Sequence, residues 1–257
     1  MQSILKRFAG IALRDSYEPH YNRPVPFQSF TDATLDPPVK GFLHLPETEN
    51  GNALVLTHGA GANSQANLLV SVANAFADAG FFVLRCDLPF RQTRPFGPPF
   101  PTGAAKDREG LRQAVSVVRK KAAGKVFLGG HSYGGRQATM LVAENPSLVD
   151  GLLLLSYPLH PPKKPMELRT GHFASLNAPA LFVHGTRDPF GSPEEMKAAL
   201  KLIPGRNLLM EVERGGHDLL AKAAKPKKAD IKKVDTERAV EDLPSRIVRE
   251  FQIFFND

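Results

Sequence analysis

An α/β fold is what this chain predicts: a mostly parallel, doubly wound sheet with helices on both faces. Three observations carry that expectation. Short continuous apolar runs, Ala53-Leu54-Val55-Leu56, Val126-Phe127-Leu128 and Ala180-Leu181-Phe182-Val183, suit strands buried on both faces of a parallel sheet. Longer stretches with apolar residues at helical spacing separate them, and such alternation is the pattern of α/β proteins. Finally, His58, Asp87, Ser132, Asp188 and His217 each fall just past the end of a strand-like run, where open α/β sheets form their ligand sites.

In chain order, 27–31 and 39–45 alternate well enough for an edge hairpin, separated by Asp36-Pro37-Pro38, which cannot continue a ladder. A strand at 53–56 runs into Thr57-His58-Gly59-Ala60-Gly61-Ala62-Asn63, and a helix over 65–79 is ended by Gly80. The strand 81–85 leads to a stretch reaching Thr102 so dense in Pro and Phe that an irregular loop is expected. Leu111, Ala114, Val117 and Val118 predict a helix over 107–123, closed by Gly124. After the strand that begins at Val126 comes a glycine-rich turn and a helix over 137–144, then a strand at 151–156 and a second Pro-rich loop at 158–165. Beyond the strand at 180–183, Ser192-Pro193-Glu194-Glu195 is a helix start with Ser as N-cap, Pro at N1 and Glu at N3. A last strand at 208–212, a Lys-rich loop at 219–236 and a terminal helix over about 237–254 complete the chain. No internal repeat or linker divides it, so one domain over 1–257 is expected, with an N-terminal extension at 1–25. Ile4, Leu5, Phe8, Ile11 and Ala12 set against Lys6, Arg7 and Arg14 predict an amphipathic helix in that extension rather than a targeting segment.

Composition narrows the function classes. Charged residues at 23% and hydrophobic residues at 42% are those of a globular protein, and no apolar run approaches a membrane span. The single cysteine, Cys86, forbids an internal disulfide and fits a reducing, cytoplasmic compartment. The net charge of +7 owes much to Lys222, Lys225, Lys227, Lys228, Lys232 and Lys233, a solvated loop, so no nucleic-acid partner is expected.

The chemistry centres on Gly130-His131-Ser132-Tyr133-Gly134, a serine between an apolar strand and a helix with glycine two residues to either side. That is the context of a nucleophile elbow, a strained turn crowded by its strand and helix. A serine hydroxyl needs an imidazole to take its proton and a carboxylate to orient that imidazole. His217, beside two glycines after the last strand, is the candidate base, and Asp188 precedes it in the order Ser, Asp, His. Asp87 and Asp218 compete for the acid's place: Asp87 is expected to tie down its own loop, and Asp218, the neighbour of His217, to point elsewhere. His58, His131 and His184 are expected to be structural. The oxyanion of a tetrahedral intermediate needs two backbone donors, for which Tyr133 N–H and Ala60 N–H are the candidates, with Gly61 close by. A phosphate loop is excluded because no Gly-Lys-Ser/Thr follows Gly59, and a dinucleotide fingerprint because Gly-x-Gly-x-x-Gly is absent.

His58-Gly59-Ala60-Gly61, Asp87-Leu88-Pro89-Phe90-Arg91, Gly130-His131-Ser132-Tyr133-Gly134-Gly135-Arg136, His184-Gly185-Thr186-Arg187-Asp188-Pro189-Phe190-Gly191 and Gly216-His217-Asp218 lie in the order expected of an α/β hydrolase. The chain resembles the dienelactone-hydrolase-like branch of that superfamily, and within it the group of testis-expressed protein 30 and subunit 3 of the NSL acetyltransferase complex. The resemblance implies the α/β-hydrolase fold, an ester-type hydrolytic activity, no metal and no organic cofactor. Serine stands where dienelactone hydrolases use cysteine, which leaves their particular substrate open.

Two functions follow as expectations. The first is a serine hydrolase of the carboxylesterase type, cleaving a small soluble ester, thioester or lactone as a monomer or homodimer; the second is a silent binding or scaffold protein on the same fold. Only about 20 residues separate the strand ending at Ser156 from the next, too few for a lid domain, so an open site is expected. Its rim would bring Arg91, Arg94, Lys163, Lys164 and Arg169. Arg91 and Arg94 in particular are expected to contact substrate, which would then carry a carboxylate or phosphate.

Overall fold

The computed structural model describes residues 27–220 and 241–256. The N-terminal extension, all of the Lys-rich loop except Leu219 and Leu220, and the expected first turn of the terminal helix lie outside the described residues. Eight strands form one sheet: β1 (Phe27–Asp32), β2 (Val39–His44), β3 (Ala53–Thr57), β4 (Phe82–Cys86), β5 (Val126–His131), β6 (Gly151–Leu155), β7 (Ala180–Gly185) and β8 (Asn207–Val212). Their order across the sheet is β1-β2-β4-β3-β5-β6-β7-β8. β1 and β2 pair antiparallel, β2 meets β4 antiparallel, and every other neighbour is parallel.

The helices are α1 (Asn67–Asp78), α2 (Pro89–Thr93), α3 (Ala104–Arg119), α4 (Tyr133–Glu144), α5 (Pro193–Leu200) and α6 (Leu243–Asn256). Because successive strand residues face opposite sides, β3 sends Leu54 and Leu56 to one layer and Ala53 and Val55 to the other. The first layer holds Leu69, Val72 and Phe76 of α1 with Ile247 and Phe251 of α6. Phe251 meets Phe76 edge-on at 4.9 Å and Phe127 at 4.8 Å, pairs that each add about 0.5–1.5 kcal/mol beyond their burial. The second layer packs Leu111 and Val118 of α3, Ala138 and Leu141 of α4 and Met196 of α5 on the opposite face. Helices on both faces thus leave the carboxyl ends of the parallel strands as the open edge.

Three local differences from the sequence reading have simple causes. The Pro-dense stretch after β4 is not wholly irregular, since Pro89 occupies N1 of the short α2, where its fixed φ suits a helix and its missing N–H costs nothing. α4 starts at Tyr133 rather than 137, in spite of Gly134 and Gly135, because Arg136 N–H donates to Ser132 C=O at 2.9 Å. α3 ends at Arg119, where Lys121 N–H and Ala122 N–H both turn to Val118 C=O. The capping box forms as read: Glu195 N–H donates to Ser192 Oγ and Ser192 N–H to Glu195 Oε2. Between β6 and β7 the chain makes only a 3₁₀ turn, Phe173–Ser175, so no lid layer is inserted there.

Candidate active site

β5 delivers Ser132 into φ 51° and ψ −114°, a conformation that strains a residue with a side chain by roughly 1–3 kcal/mol and persists only where its surroundings impose it. Here Ser132 N–H donates to Leu155 C=O of β6 at 2.9 Å, while its own carbonyl starts the α4 ladder. Gly134 lets the first turn of α4 press on the end of β3, since a Cβ there would stand 2.5 Å from His58 O and 2.6 Å from Thr57 Cγ2.

The side chains then form a chain of hydrogen bonds. His217 Nε2 lies 2.8 Å from Ser132 Oγ, and His217 Nδ1 lies 2.8 Å from Asp188 Oδ2. With the carboxylate accepting from Nδ1–H, Nε2 carries the lone pair that faces the serine hydroxyl. Asp188 is anchored from its other oxygen, Oδ1, which accepts Phe190 N–H at 2.9 Å. The Phe190 ring in turn lies on the His217 imidazole, 4.2 Å between centroids. His131 Nε2 meets His217 C=O at 2.7 Å, holding the backbone of the base.

The loop after β3 closes on this group. A Cβ on Gly59 would lie 3.0 Å from His131 Nδ1 and 3.4 Å from Ser132 Cβ, so the glycine sets how near this loop approaches the serine. Ala60 follows in that loop, and Tyr133 is the first residue of α4, whose N–H has no acceptor within the helix. Asp107 of α3 braces the region: its carboxylate accepts Tyr133 O–H at 2.8 Å and Phe90 N–H at 3.0 Å. Burial raises the pKa of Asp107, and burial, followed by the bond to Asp107, raises that of the Tyr133 phenol.

Arg91 does not line the rim. It is 7% exposed, and its guanidinium donates to the carbonyls of Ala62 at 2.8 Å, Ala60 at 2.7 Å, Gly97 at 3.0 Å and Arg94 at 3.1 Å. Four carbonyls in reach outcompete solvent for a five-donor fork, so Arg91 buckles the loop after β3 to the segment after α2. Arg94 lies over the Phe100 ring at 4.2 Å and reaches Pro98 C=O at 3.4 Å, on the outside of that same segment. Gly61 is exposed beside an open groove of about 400 Å³, lined also by Asn63, Gln65, Pro95 and Phe96. Lys163 is exposed, and Lys164 is paired with Glu167 at 2.8 Å.

Of the competing acids, Asp218 accepts Leu220 N–H at 3.0 Å and so turns away from His217. Asp87 departs from expectation: rather than its own loop it ties the loop after β3, accepting Ser64 N–H at 2.7 Å. His58 accepts Leu88 N–H on Nε2 and donates from Nδ1 to Gly59 C=O at 2.8 Å, with a pKa lowered chiefly by burial. His184 bonds Gly191 C=O at 2.7 Å. Among the described residues no group of His, Cys, Asp and Glu could hold a metal ion, and no helix is long and apolar enough to cross a membrane. What the sequence reading missed is the bracing pair of Phe190 and Asp107; Phe190 stands inside a motif, but nothing in a motif shows which way a side chain turns.

Residues 50–242 match the family described as alpha/beta hydrolase domain. Among curated proteins, a 2-hydroxy-6-oxononadienedioate/2-hydroxy-6-oxononatrienedioate hydrolase from a Pseudomonas species is 30% identical over 132 residues, a stretch covering 49% of this chain and 44% of that protein. Among solved structures, a dienelactone hydrolase from Anabaena variabilis superposes with a TM-score of 0.61 at 19% identity, covering 77% of this chain and 90% of the other. A Xanthomonas campestris protein described as a serine hydrolase without a lid gives 0.60 at 18% identity, over 77% and 88% of the two chains. At these identities the structural likeness speaks for the fold.

Proposed function

The chain belongs to the alpha/beta hydrolase domain family, and from that premise we propose that it is a serine hydrolase working through an acyl-enzyme on Ser132. The observation that supports this most is the unbroken run of hydrogen bonds from Ser132 Oγ through His217 to Asp188, 2.8 Å at each link. Ser132 Oγ attacks an acyl carbonyl while His217 Nε2 takes its proton, and Asp188 stabilises the imidazolium that forms. The oxyanion is received by Tyr133 N–H and Ala60 N–H. His217 then returns the proton to the leaving oxygen or sulfur, and a water repeats the sequence to free the acid.

The substrate we propose is a small ester, thioester or lactone, in keeping with a site that carries no lid between β6 and β7. We also propose that it bears an anionic group, a property the curated relative's name gives to its own substrate, a dioate. Within the family, the dienelactone-hydrolase-like branch and the group of testis-expressed protein 30 and NSL subunit 3 remain our placement on motif likeness.

A fluorophosphonate probe tests the proposal. Intact protein should be labelled on Ser132 and Ser132→Ala should not. Absence of label on the intact chain, or equal labelling of the variant, would overturn it in favour of a binding protein on the same fold.

A further inference from the structure

Arg136 sits one helical turn after the nucleophile, its N–H on the Ser132 carbonyl at 2.9 Å. Two other elements converge on this part of α4. Arg108 comes from α3, and Tyr157, Arg169 and His172 from the segment between β6 and β7. Thr139 lies one turn further along α4. The scaffold is well bonded: Thr139 O–H donates to Arg136 C=O at 2.8 Å and its oxygen meets His172 Nε2 at 2.8 Å. Tyr157 O–H donates to Arg169 C=O at 2.7 Å, and Arg136 and Thr139 also reach that hydroxyl.

The cations are less well served. Arg136 Nε is buried without a hydrogen-bond partner. Among the described residues neither Arg136 nor Arg169 has a carboxylate within 4.0 Å, and Arg169 reaches only Pro158 C=O, at 3.3 Å. Arg108 touches Gln137 Oε1 at 3.2 Å and the half-exposed Glu144 at 3.6 Å. The nearby acids are otherwise spent, Asp107 on Tyr133 and Phe90, and Glu167 on Lys164. The groups feel one another: burial, then Arg136 and Arg108, drives His172 down to about 4, and burial followed by Arg136 lowers Arg169, an effect that Tyr157 and Glu167 offset only in part. Half-buried like charges repel, and an anion held by their planar forks removes that cost and gains charge-assisted bonds.

We propose that Arg136, Arg169 and Arg108 form an anion-binding subsite beside Ser132, which takes the carboxylate or phosphate of the substrate while its acyl carbon meets the serine. The coupling to catalysis rests on the serine-hydrolase proposal; the anion site stands on its own geometry. Arg136 and Arg169, rather than Arg91 and Arg94, are then the residues that select substrate.

The test compares kcat/KM for p-nitrophenyl acetate and for the p-nitrophenyl monoester of succinate, in low and high salt, in intact protein and in Arg136→Gln, Arg169→Gln and Arg136→Lys. Titration calorimetry of Ser132→Ala with succinate and with inorganic phosphate, alone and combined with Arg136→Gln, measures the anion directly. The acidic ester should be preferred, less so as salt rises. That preference should fall roughly 10- to 100-fold in Arg136→Gln, the span of one charge-assisted bond. Arg169→Gln should lower it less, and Arg136→Lys should restore part of it. Whichever of succinate and phosphate binds more tightly identifies the anion. No preference in intact protein, or a ratio unmoved in both glutamine variants, overturns the subsite even if both esters turn over. If no ester is cleaved and no fluorophosphonate attaches, yet succinate or phosphate binds unless Arg136 is replaced, the hydrolase proposal falls and the subsite stands.

Discussion

Two polar clusters, one at the carboxyl edge of this sheet and one reaching from that edge along β4 to His44 of β2, differ in where their hydrogen bonds end. Around β5, β7 and β8, Asp188, His217 and Ser132 bond side chain to side chain, and the run ends on a serine that is partly open to solvent. Around β2, β3 and β4, His44, His58, Ser64, Arg85 and Asp87 are just as rich in titratable groups, yet most of their bonds end on backbone. Arg85 is wholly buried, donating to His44 Nε2 at 2.7 Å and to the Ser64 carbonyl, between the Phe27 and Phe42 rings at 5.0 and 5.1 Å. Asp87 and His58 close on Ser64 N–H and Leu88 N–H. The first cluster is the one that, on the proposed mechanism, passes a proton outward; the second is a closed knot that joins strands to loops. Residue types are alike in the two, so direction of bonding is what distinguishes them.

Substitutions should break the two clusters in different ways. In the first, Ser132→Ala or His217→Ala should each lower kcat on an ester by about 10⁴-fold or more, and the double variant should lose little further, because the groups act as a unit. Asp188→Asn should cost somewhat less, roughly 10³- to 10⁴-fold, by releasing the imidazole from its tautomer. Melting temperatures of the serine and histidine variants should stay near that of the parent. Losses that multiply in the double variant would mean the residues do not cooperate.

In the knot the effect should fall on stability. His58→Ala leaves Leu88 N–H unpaired and opens a cavity, and should cost roughly 2–4 kcal/mol in denaturant unfolding. Asp87→Ala, which strands the buried Ser64 N–H and removes a carboxylate 3.6 Å from His58 but opens less of a cavity, should cost about 1–2 kcal/mol. If either variant lost activity by more than about 100-fold while keeping its stability, the knot would have to be counted with the catalytic machinery.

The same contrast explains what could be seen in the sequence. Buried parallel strands write themselves as unbroken apolar runs, so β3, β5 and β7 were legible, and the order of Ser132, Asp188 and His217 along the chain singled out one base and one acid. Arginine is different, because a long side chain can turn to the site or to its own loop and composition does not say which. Arg91, within a motif, is taken up by four carbonyls, whereas Arg136, quoted in the elbow motif but given no role, meets Arg169 and His172 only through the packing of α4 on the segment after β6. The Pro-dense stretch after β4 hid α2 for a related reason: proline breaks a helix everywhere except at its start.

The last effect expected is a pH dependence of stability in which His44 of the knot takes a leading part. His44 is completely buried and accepts the Nε–H of Arg85, so protonating it would both charge a dry site and abolish that bond. Burial, and after it Arg85, pushes its pKa from 6.5 down to about 4. Between those two values the unfolded chain holds a proton that the folded chain does not, so unfolding takes up protons there. Stability must therefore be complete above about pH 6.5, decline as pH falls toward 4, and level off below. Arg85 remains charged throughout, its own pKa reaching only down to about 10, so it cannot relieve the repulsion. His172, also near 4, adds a contribution of the same sign, weakened by its partial exposure to solvent, and His58 and His131, both lowered chiefly by burial, add to it. At pH 5, about 1.5 pH units below the unfolded value and still above the folded one, the loss from His44 should be about 2 kcal/mol. Melting temperatures of the intact protein, His44→Gln and Ser132→Ala across pH 4.5 to 7.5 measure it. The acid limb should flatten in His44→Gln and be retained in Ser132→Ala; an acid limb that disappears with the serine instead would place the titrating group in the first cluster and reverse the assignment.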